Sequence, residues 1–423
     1  MKIVLLLFDL IFYLYMLWST AIGFAGVIIL IGLSVLSWAI SSRLYEKRSK
    51  ALLFAGVGAN VAVLAFFKYF GGVTGFIMPL GLSFYSFALI SLLADAYGGK
   101  LQEKPRLTDT LAYAGFFATI LSGPIIKARD FMKDIRAFKG IDRAGLNEGM
   151  WRIIRGLFEK LVIADRLGIA VDAVYGAPAA YSGLSLFMAS VTYSLQIYFD
   201  FAGYSNIAIG LGRILGFTLP ENFDLPYMAK NPSDFWKRWH ISLSSWLTEY
   251  IYIPLGGSRK GRLRKNINIM ITMLVSGLWH GSTVNFLIWG ALHGLWQVGH
   301  SLLPKDCKKE NKAVNIIKTV LTFLAVNLLW IPFRAPDLAA CTAIVGRIFT
   351  MAEGVNYVYS YTLIFGAMLV IYEIFAGLRM GCRDRVWTFD LGSFKGKLIL
   401  LSAILAIALF AYFGNTAFIY SNF

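Results

Sequence analysis

The side chains best suited to chemistry in this sequence are four histidines, which all lie between residues 240 and 300 of the 423. An imidazole titrates at a pKa of about 6.5, so it can take a proton from a hydroxyl and return it to a leaving group. The sequence contains no GxSxG, HExxH or Walker motif that would indicate a serine nucleophile, a zinc site or a nucleotide site. These residues therefore favour general-base catalysis, such as acyl transfer from an already activated thioester.

His280 has the most suggestive local sequence of the four. It lies in SGLWHGSTVN (276–285), and Gly277 and Gly281 on either side would let a substrate or another backbone approach closely. A neutral histidine can also be a packed polar residue in a helix bundle, but an ionisable group in a long uncharged run is by default a functional hypothesis. The sequence favours the functional interpretation for His280.

His240 lies in FWKRWHISLS (235–244), and this setting leaves two alternatives open. The histidine could assist His280, or the segment could form an interfacial aromatic belt with Trp236, Trp239 and Trp246. In acyl transfer, a second polar group is expected to orient the catalytic base or to polarise the carbonyl of the acyl donor. His240 and Asn285 are the stronger candidates, ahead of Asp200 and Glu249.

The remaining two histidines, His293 and His300, are seven residues apart and therefore share one helix face. We expect them to form a polar stripe that faces neighbouring helices. The spacings between the four histidines match no zinc motif, so no metal site is predicted.

The composition shows which elements must position these residues. The chain is 57% hydrophobic and 15% charged, with a mean hydropathy of +0.63, which excludes an ordinary soluble domain. Several uncharged runs are long enough to cross a bilayer, which takes about 20 residues. They are 10–42, 69–94, 173–199, 266–304 and 398–423, with shorter ones at 51–67, 110–126, 319–333 and 354–372. We predict one all-α polytopic membrane domain over residues 1–423 with about ten crossings, and no cleaved signal peptide because Asp9 interrupts the first apolar run.

The net charge of +16 comes largely from basic clusters in short connectors, such as Arg43–Lys50, 259–265 and 305–312. This pattern indicates a cytoplasmic side of the membrane rather than a nucleic-acid partner. The segment 259–265 is dense enough to bind anionic lipid or an acidic cytosolic carrier. The three cysteines, which are far apart, suggest neither a disulfide nor a metal site.

Two segments do not look like membrane spans. Residues 127–166 carry charges of both signs, which predicts a cytoplasmic loop with an amphipathic helix. Residues 199–265 mix aromatic, polar, glycine and proline residues, which predicts broken helices that re-enter the membrane and line a cavity. Two aspartates of this region could instead be buried structural partners of its arginines, namely Asp200 and Asp234 with Arg213 or Arg238.

Several long segments resemble the membrane-bound O-acyltransferases, and in particular the bacterial branch that includes the membrane subunits of alginate and peptidoglycan O-acetylation. The similar segments cover most of residues 78–300, and residues 315–423 would add C-terminal helices. They are MPLGLSFYSF (78–87), LSGPIIKARDF (121–131), IYFDFAGYSNIAIGLGRILGF (197–217), PENFDLPYMAKNPSDFWKRWHISLSSWLTEYIYIPLGGSRKG (220–261) and SGLWHGSTVNFLIWGALHG (276–294).

The resemblance implies a ring of about ten to twelve transmembrane and re-entrant helices around a central tunnel. It implies that His280 is the catalytic base and that His240 assists it, for example by stabilising the developing oxyanion. The residues expected to support the site or line the tunnel are Asn285, Trp236, Trp239, Trp279, Asp200 and Tyr204. The PLGG stretch at 254–257 separates the sequence from the related D-alanyl transfer proteins of teichoic-acid modification.

The same resemblance implies a multi-pass protein of the cytoplasmic (inner) membrane with no resident cofactor. The acyl donor would be a cytosolic thioester, either acetyl-CoA or an acyl carrier bound at 259–265. The acceptor would be a hydroxyl of an extracytoplasmic polysaccharide or of a partner acetyltransferase. The terminal FIYSNF (418–423) resembles the aromatic C-terminus of the branch but departs from it at Ser421 and Asn422.

Two non-enzymatic interpretations remain. A transporter would show paired interrupted helices in two halves of the chain, whereas only 199–265 has that character. A scaffold for a secreted transferase would tolerate the loss of His280 but not the loss of the C-terminal tail.

Overall fold

The computed structural model describes residues 2–18, 23–71, 75–137, 140–303, 311–379 and 388–414. In this part of the chain the regular structure is helical, with two isolated β-bridges. The predicted all-α fold class is therefore confirmed. The terminal FIYSNF and two of the cysteines, Cys307 and Cys382, lie outside the described residues.

The chain divides into two compact units, of which the first comprises residues 1–153 and 205–220. Its core joins aromatic and aliphatic residues from several helices, including Tyr13, Leu30, Leu82 and Tyr85. Its helices are α1 (Lys2–Trp18), α2 (Gly23–Glu46), α3 (Lys50–Ala65, continued by a π turn at Phe66–Phe70), α4 (Leu82–Gly98), α5 (Leu107–Gly115), α6 (Ala128–Ala137) and most of α7 (Arg143–Leu157).

The second unit comprises residues 154–204 and 221–422 and contains all four histidines. It begins with a π turn (Phe158–Ala164), α8 (Asp165–Gly176) and α9 (Gly183–Ile214), whose last residues belong to the first unit. A 3₁₀ turn (Pro226–Met228), α10 (Pro232–Arg238), α11 (Ile241–Leu247) and a π turn (Thr248–Tyr252) follow. The longer helices are α12 (Gly261–His280), α13 (Val284–Leu302), α14 (Lys312–Arg334), α15 (Leu338–Phe349), α16 (Ser360–Arg379) and α17 (Phe394–Phe410).

Close packing of α12 against α13 depends on glycine. A Cβ atom on Gly277 would lie 3.3 Å from the Cα of Gly290, and one on Gly290 would lie 2.5 Å from the carbonyl oxygen of Met273. Only residues without a side chain permit this approach. The glycines around His280 therefore position its helix against α13.

Three helical segments among the described residues are long and apolar enough to cross a membrane, namely 25–46, 50–70 and 312–334. Four shorter apolar helical segments lie at 5–16, 82–98, 338–349 and 360–372. All of these segments except 338–349 fall on or beside an uncharged run of the sequence, which supports the membrane character of the chain. The number of crossings, the ring around a tunnel and the single domain over 1–423 remain predictions.

The prediction of broken helices over 199–265 is correct for only part of that segment. Helix α9 continues without interruption through Gly203, Gly210 and Gly212, because the intact i to i−4 hydrogen-bond ladder tolerates glycine. The helix ends at Ile214, and Gly216 then takes a left-handed conformation (φ 78°). The irregular region of short helices begins only after this residue.

The basic segment 259–265 also differs from the prediction of a connector. Helix α12 begins at Gly261, so Arg262, Arg264 and Lys265 lie in its first turns. The preceding turn is built on Gly256 and Gly257, whose φ angles are 110° and 57°.

Candidate functional site

His240 lies at the junction of α10 and α11, where the chain changes direction. Its backbone is in the left-handed region (φ 45°, ψ 53°), and the residue is completely buried. This conformation costs a non-glycine residue about 1–2 kcal/mol. Its carbonyl oxygen accepts a hydrogen bond of 2.9 Å from the Ser244 amide, which begins α11. Such strained residues cluster at functional sites, where the surrounding structure holds them in place.

Asn222 holds the His240 ring and the start of α11 together. Its Oδ1 accepts a hydrogen bond of 2.6 Å from the Ser242 hydroxyl and lies 3.3 Å from His240 Nδ1. Its backbone carbonyl accepts from the Ile241 amide at 3.0 Å. Because Asn222 Oδ1 is an acceptor, Nδ1 of a neutral His240 carries the proton and Nε2 carries the lone pair. Asn222 was not among the predicted site residues, although it lies in PENFDLPYM, close to the FWKRWH motif.

His280 is the last residue of α12 and is 1% exposed. Its ring centroid lies 4.8 Å from that of Trp279, 5.1 Å from that of Trp289 and 5.2 Å from that of Phe333. Aromatic rings thus enclose the imidazole on several sides. They fix its orientation and keep bulk water from it.

The two histidines meet although 40 residues separate them in the sequence. Their ring centroids are 6.5 Å apart, and Trp279 packs against both, at 6.1 Å from His240 and 4.8 Å from His280. Phe201 of α9 contacts the His240 ring at 4.5 Å. This separation would let the two imidazoles reach different atoms of one reacting group.

The predicted tryptophans of FWKRWH lie inside the protein. Trp236 and Trp239 are 8% and 1% exposed, and Trp246 is also buried, so the interfacial-belt alternative is wrong. Trp239 packs against Phe235 (5.7 Å) and Trp330 (5.0 Å). These contacts hold α10 against α14.

His293 belongs to the same aromatic cluster. It is completely buried, and the Trp236 indole Nε1 donates to its Nδ1 at 3.3 Å. Trp289 packs against His293 at 4.8 Å and against His280 at 5.1 Å. His293 therefore faces neighbouring helices, as predicted, whereas His300 on the same helix is half-buried.

Asn285 is buried at the start of α13 and donates through Nδ2 to the Ala335 carbonyl at 3.0 Å. This bond ties the start of α13 to the residue after α14. Its place in the site as a group that polarises the substrate remains a prediction.

Asp200 and Tyr204 lie one turn apart on α9, and Asp200 is part of an ion cluster. Lys160 Nζ lies 2.7 Å from Asp200 Oδ1 and 2.6 Å from Asp165 Oδ1, and all three residues of the cluster are at most 4% exposed. Asp200 thus pairs with Lys160 rather than with Arg213 or Arg238. Asp234 does pair with Arg238, at 2.8 Å.

The same ion cluster corrects the prediction for residues 127–166. Those charges were expected on a cytoplasmic loop and an amphipathic helix, but Glu159, Lys160 and Asp165 are buried. The physical reason is mutual compensation, because an ammonium between two carboxylates can be buried where a single charge could not. Elsewhere in the stretch, α6 does have one buried face, formed by Phe131, Met132 and Ile135.

Within the described ranges, no three His, Cys, Asp or Glu side chains lie close enough together to hold a metal ion. The histidine cluster instead alternates imidazoles with aromatic rings. Imidazoles in such buried surroundings suit proton transfer.

A sequence model of the membrane-bound O-acyltransferase family matches residues 97–304, which include all four histidines. The "probable alginate O-acetylase" of Pseudomonas putida is 36% identical over 326 residues, covering 73% of this chain and 66% of that protein. The peptidoglycan O-acetyltransferase of Helicobacter pylori is 32% identical over 358 residues, covering 73% and 67%. The teichoic acid D-alanyltransferase of Bacillus subtilis is 32% identical over 262 residues, covering 58% and 65%. The chain thus spans slightly less than two thirds of the Pseudomonas putida relative.

Proposed function

Because this chain belongs to the membrane-bound O-acyltransferase family, we propose that it transfers an acyl group, most simply acetyl, to a hydroxyl acceptor. The observation that carries the proposal is the meeting of His240 and His280, with ring centroids 6.5 Å apart, among buried aromatic rings. A base shielded from water suits transfer to a hydroxyl because water would otherwise compete as acceptor.

In the proposed reaction His280 is the general base. It takes the proton of the acceptor hydroxyl as that oxygen attacks the thioester carbonyl carbon, and a tetrahedral oxyanion forms. Collapse of this intermediate breaks the carbon–sulfur bond, and the proton on His280 passes to the departing thiolate. One residue thus serves as base and then as acid, and no covalent enzyme intermediate is required.

The hydrogen bonds of His240 refine its assisting role. Asn222 Oδ1 holds the proton on Nδ1, so Nε2 of the neutral ring is an acceptor. An acceptor cannot donate to an oxyanion. We therefore assign His240 to orienting the acceptor molecule, through a hydrogen bond that Nε2 accepts from a donor next to the attacking hydroxyl, such as a second hydroxyl of a sugar. This role replaces the oxyanion stabilisation expected from the sequence.

We further propose that the acyl group comes from a cytosolic thioester, either acetyl-CoA or an acyl carrier, and reaches an extracytoplasmic polysaccharide or a partner acetyltransferase. The exposed basic residues at the start of α12, including Lys260, Arg262 and Arg264, suit an acidic carrier. The protein would then span the cytoplasmic membrane several times. The alginate, peptidoglycan and teichoic acid named for the relatives are all cell-surface acceptors.

The test is the O-acetyl content of cell-surface polysaccharide in a deletion strain that carries wild-type or variant protein at matched membrane levels. We expect His280→Ala and the similarly sized His280→Gln to leave acetylation at the deletion level. His240→Asn is preferable to alanine because asparagine tolerates the left-handed backbone, and we expect it to restore acetylation only partly. His300→Ala is the matched histidine control and should restore it fully.

The outcomes separate the alternatives. Full restoration of acetylation by His280→Ala would show that His280 is not the catalytic base, and it would favour the scaffold or transporter interpretation. Loss of surface D-alanyl ester with unchanged acetyl would indicate D-alanyl transfer to teichoic acid. The PLGG turn at 254–257 argues against that alternative. Asn268 anchors this turn, because its Nδ2 donates a 2.9 Å hydrogen bond to the Gly257 carbonyl oxygen.

A further inference from the structure

A groove of about 750 Å³ opens on the second unit, apart from the histidine cluster. Its walls are α9, α14, α16 and the segment around Tyr227. The lining is almost entirely apolar, and side chains such as Ile316 (65% exposed) and Leu363 (66%) remain exposed along it. Exposed apolar surface on a membrane helix faces lipid rather than water.

The length of the groove matches one leaflet of a bilayer. Its lining on α14 runs from Asn315 to Phe323, which is about 12 Å along the helix axis. Half of a hydrocarbon core is about 15 Å. Helix α14 is one of the candidate spans and begins at Lys312, so Asn315 lies near its membrane boundary. A lipid chain of that leaflet would fit along the groove.

The boundary end of the groove carries polar groups. Lys230, which is exposed, and Asn315 both line it. Asn315 Oδ1 is buried and has no hydrogen-bond partner among the described residues. Further along, Thr362 is satisfied by a 2.8 Å hydrogen bond to Thr192, so the inner wall presents no open polar group there. The groove therefore combines a cation and an unpartnered acceptor at one end with apolar walls beyond.

We propose that this groove binds an anionic phospholipid whose headgroup also carries hydroxyl donors, of which phosphatidylglycerol is the simplest. Lys230 meets the phosphate, Asn315 Oδ1 accepts from a headgroup hydroxyl, and one acyl chain lies along α14 and α16. Lys312, three residues before Asn315 on the same helix face, adds positive charge at the same end. The basic cluster at 305–312 predicts that this end lies on the cytoplasmic side.

The lipid site touches the candidate active site through aromatic packing. Tyr227 lines the groove, packs against Phe323 at 5.2 Å and against Trp239 at 6.1 Å. Its hydroxyl donates to the Ser194 carbonyl of α9. A bound lipid would hold Tyr227, and with it the residue that precedes His240. The proposal itself concerns lipid binding and does not depend on acyl transfer.

The test is a lipid titration of the purified full chain by native mass spectrometry, with dioleoyl phosphatidylglycerol, phosphatidic acid and phosphatidylcholine as probes. We expect phosphatidylglycerol to bind at least about fivefold more tightly than phosphatidylcholine, the effect of one lysine at a membrane surface. Lys230→Gln should reduce that preference, with Lys312 alone left to attract the phosphate. Asn315→Leu should weaken the binding of phosphatidylglycerol about two- to tenfold and leave the binding of phosphatidic acid unchanged.

Ala367→Phe, which fills the groove from α16, should reduce binding of all three lipids. Met368→Phe, on the same helix but outside the lining, and the exposed Lys395→Gln are the matched controls. Equal binding of phosphatidylglycerol and phosphatidylcholine by the wild type, or an unchanged preference in Lys230→Gln, would overturn the proposal. Competition by free glycerol phosphate at equal concentration would also overturn it, because the site would then recognise the headgroup alone. If Ala367→Phe does not fold, the Lys230 and Asn315 variants still test the proposed lipid site.

Discussion

Two regions of the second unit bury polar side chains by different means. Around His240 and His280 the polar groups are imidazoles held by aromatic rings and, at His240, by Asn222. Around Lys160 the groups are charged and compensate one another, with two carboxylates within 2.7 Å of one ammonium. Both regions include neighbouring residues of α9, since Phe201 contacts His240 and Asp200 pairs with Lys160.

The difference indicates a division between chemistry and architecture. A neutral imidazole enclosed by rings can still accept a proton, so it remains available to a substrate. A lysine between two aspartates is fully engaged, and its loss leaves buried charge without compensation. We therefore expect changes in the histidine region to alter activity and changes in the ion cluster to alter stability. Four predictions test this contrast.

The largest effect is expected for His280→Gln. Loss of a general base should lower the rate of acyl transfer about 10²- to 10⁴-fold, because the amide of glutamine cannot take the proton of the hydroxyl. The thermal unfolding temperature of the purified protein should change little, since glutamine is of similar size and polarity. Acyl transfer by purified membranes and thermal unfolding in detergent give the two readouts. A large fall in unfolding temperature would show that His280 is architectural and would remove the contrast.

Lys160→Met should show the opposite pattern. It leaves Asp165 and Asp200 buried without their cation, which should lower the free energy of unfolding by about 3–5 kcal/mol. The control is the triple variant Lys160→Met with Asp165→Asn and Asp200→Asn, which removes all the charge together. We expect the triple variant to be more stable than Lys160→Met alone in denaturant titrations. If it is equally unstable, packing rather than charge governs this region.

Asn222→Ala should affect both activity and stability, to a smaller degree. It removes the acceptor of Ser242 and His240, which should cost about 1–3 kcal/mol of stability. The His240 ring would also lose the bond that sets its tautomer, so the rate of transfer should fall. In the double variant Asn222→Ala with Ser242→Ala, stability should recover in part while activity should not. Recovery of both stability and activity would mean that Asn222 serves only as the hydrogen-bond acceptor of Ser242.

The smallest effect is expected for Trp236→Phe. The substitution keeps the aromatic packing but deletes the 3.3 Å hydrogen bond from the indole to His293. A single hydrogen bond contributes about 0.5–1.5 kcal/mol. A double-mutant cycle with His293→Phe should give a coupling energy of that size. A coupling near zero would show that ring packing alone joins α10 to α13.

Much of the candidate site was predictable from local sequence. His280 and His240 stand in unusual motifs, and their types and surroundings indicated proton transfer before any fold was known. Asn222 was not predictable, because an asparagine in a polar, proline-containing loop has many ordinary roles. Lys160 was misassigned for a similar reason. A lysine in a mixed-charge stretch usually lies in solvent. Its burial is explained by two partners together, Asp165 nearby in the chain and Asp200 of α9, 40 residues later.

The sequence by itself determined that the chain is helical and suited to a membrane, because a backbone in hydrocarbon must satisfy its hydrogen bonds internally along apolar runs. It also determined where the ionisable groups for chemistry lie, since only four histidines are present. Only the tertiary structure decided that His240 and His280 face each other, that Asn222 sets a tautomer and that Lys160 lies between two aspartates. Such contacts join residues far apart in sequence. They depend on how the helices pack, which local hydropathy and motif spacing do not specify.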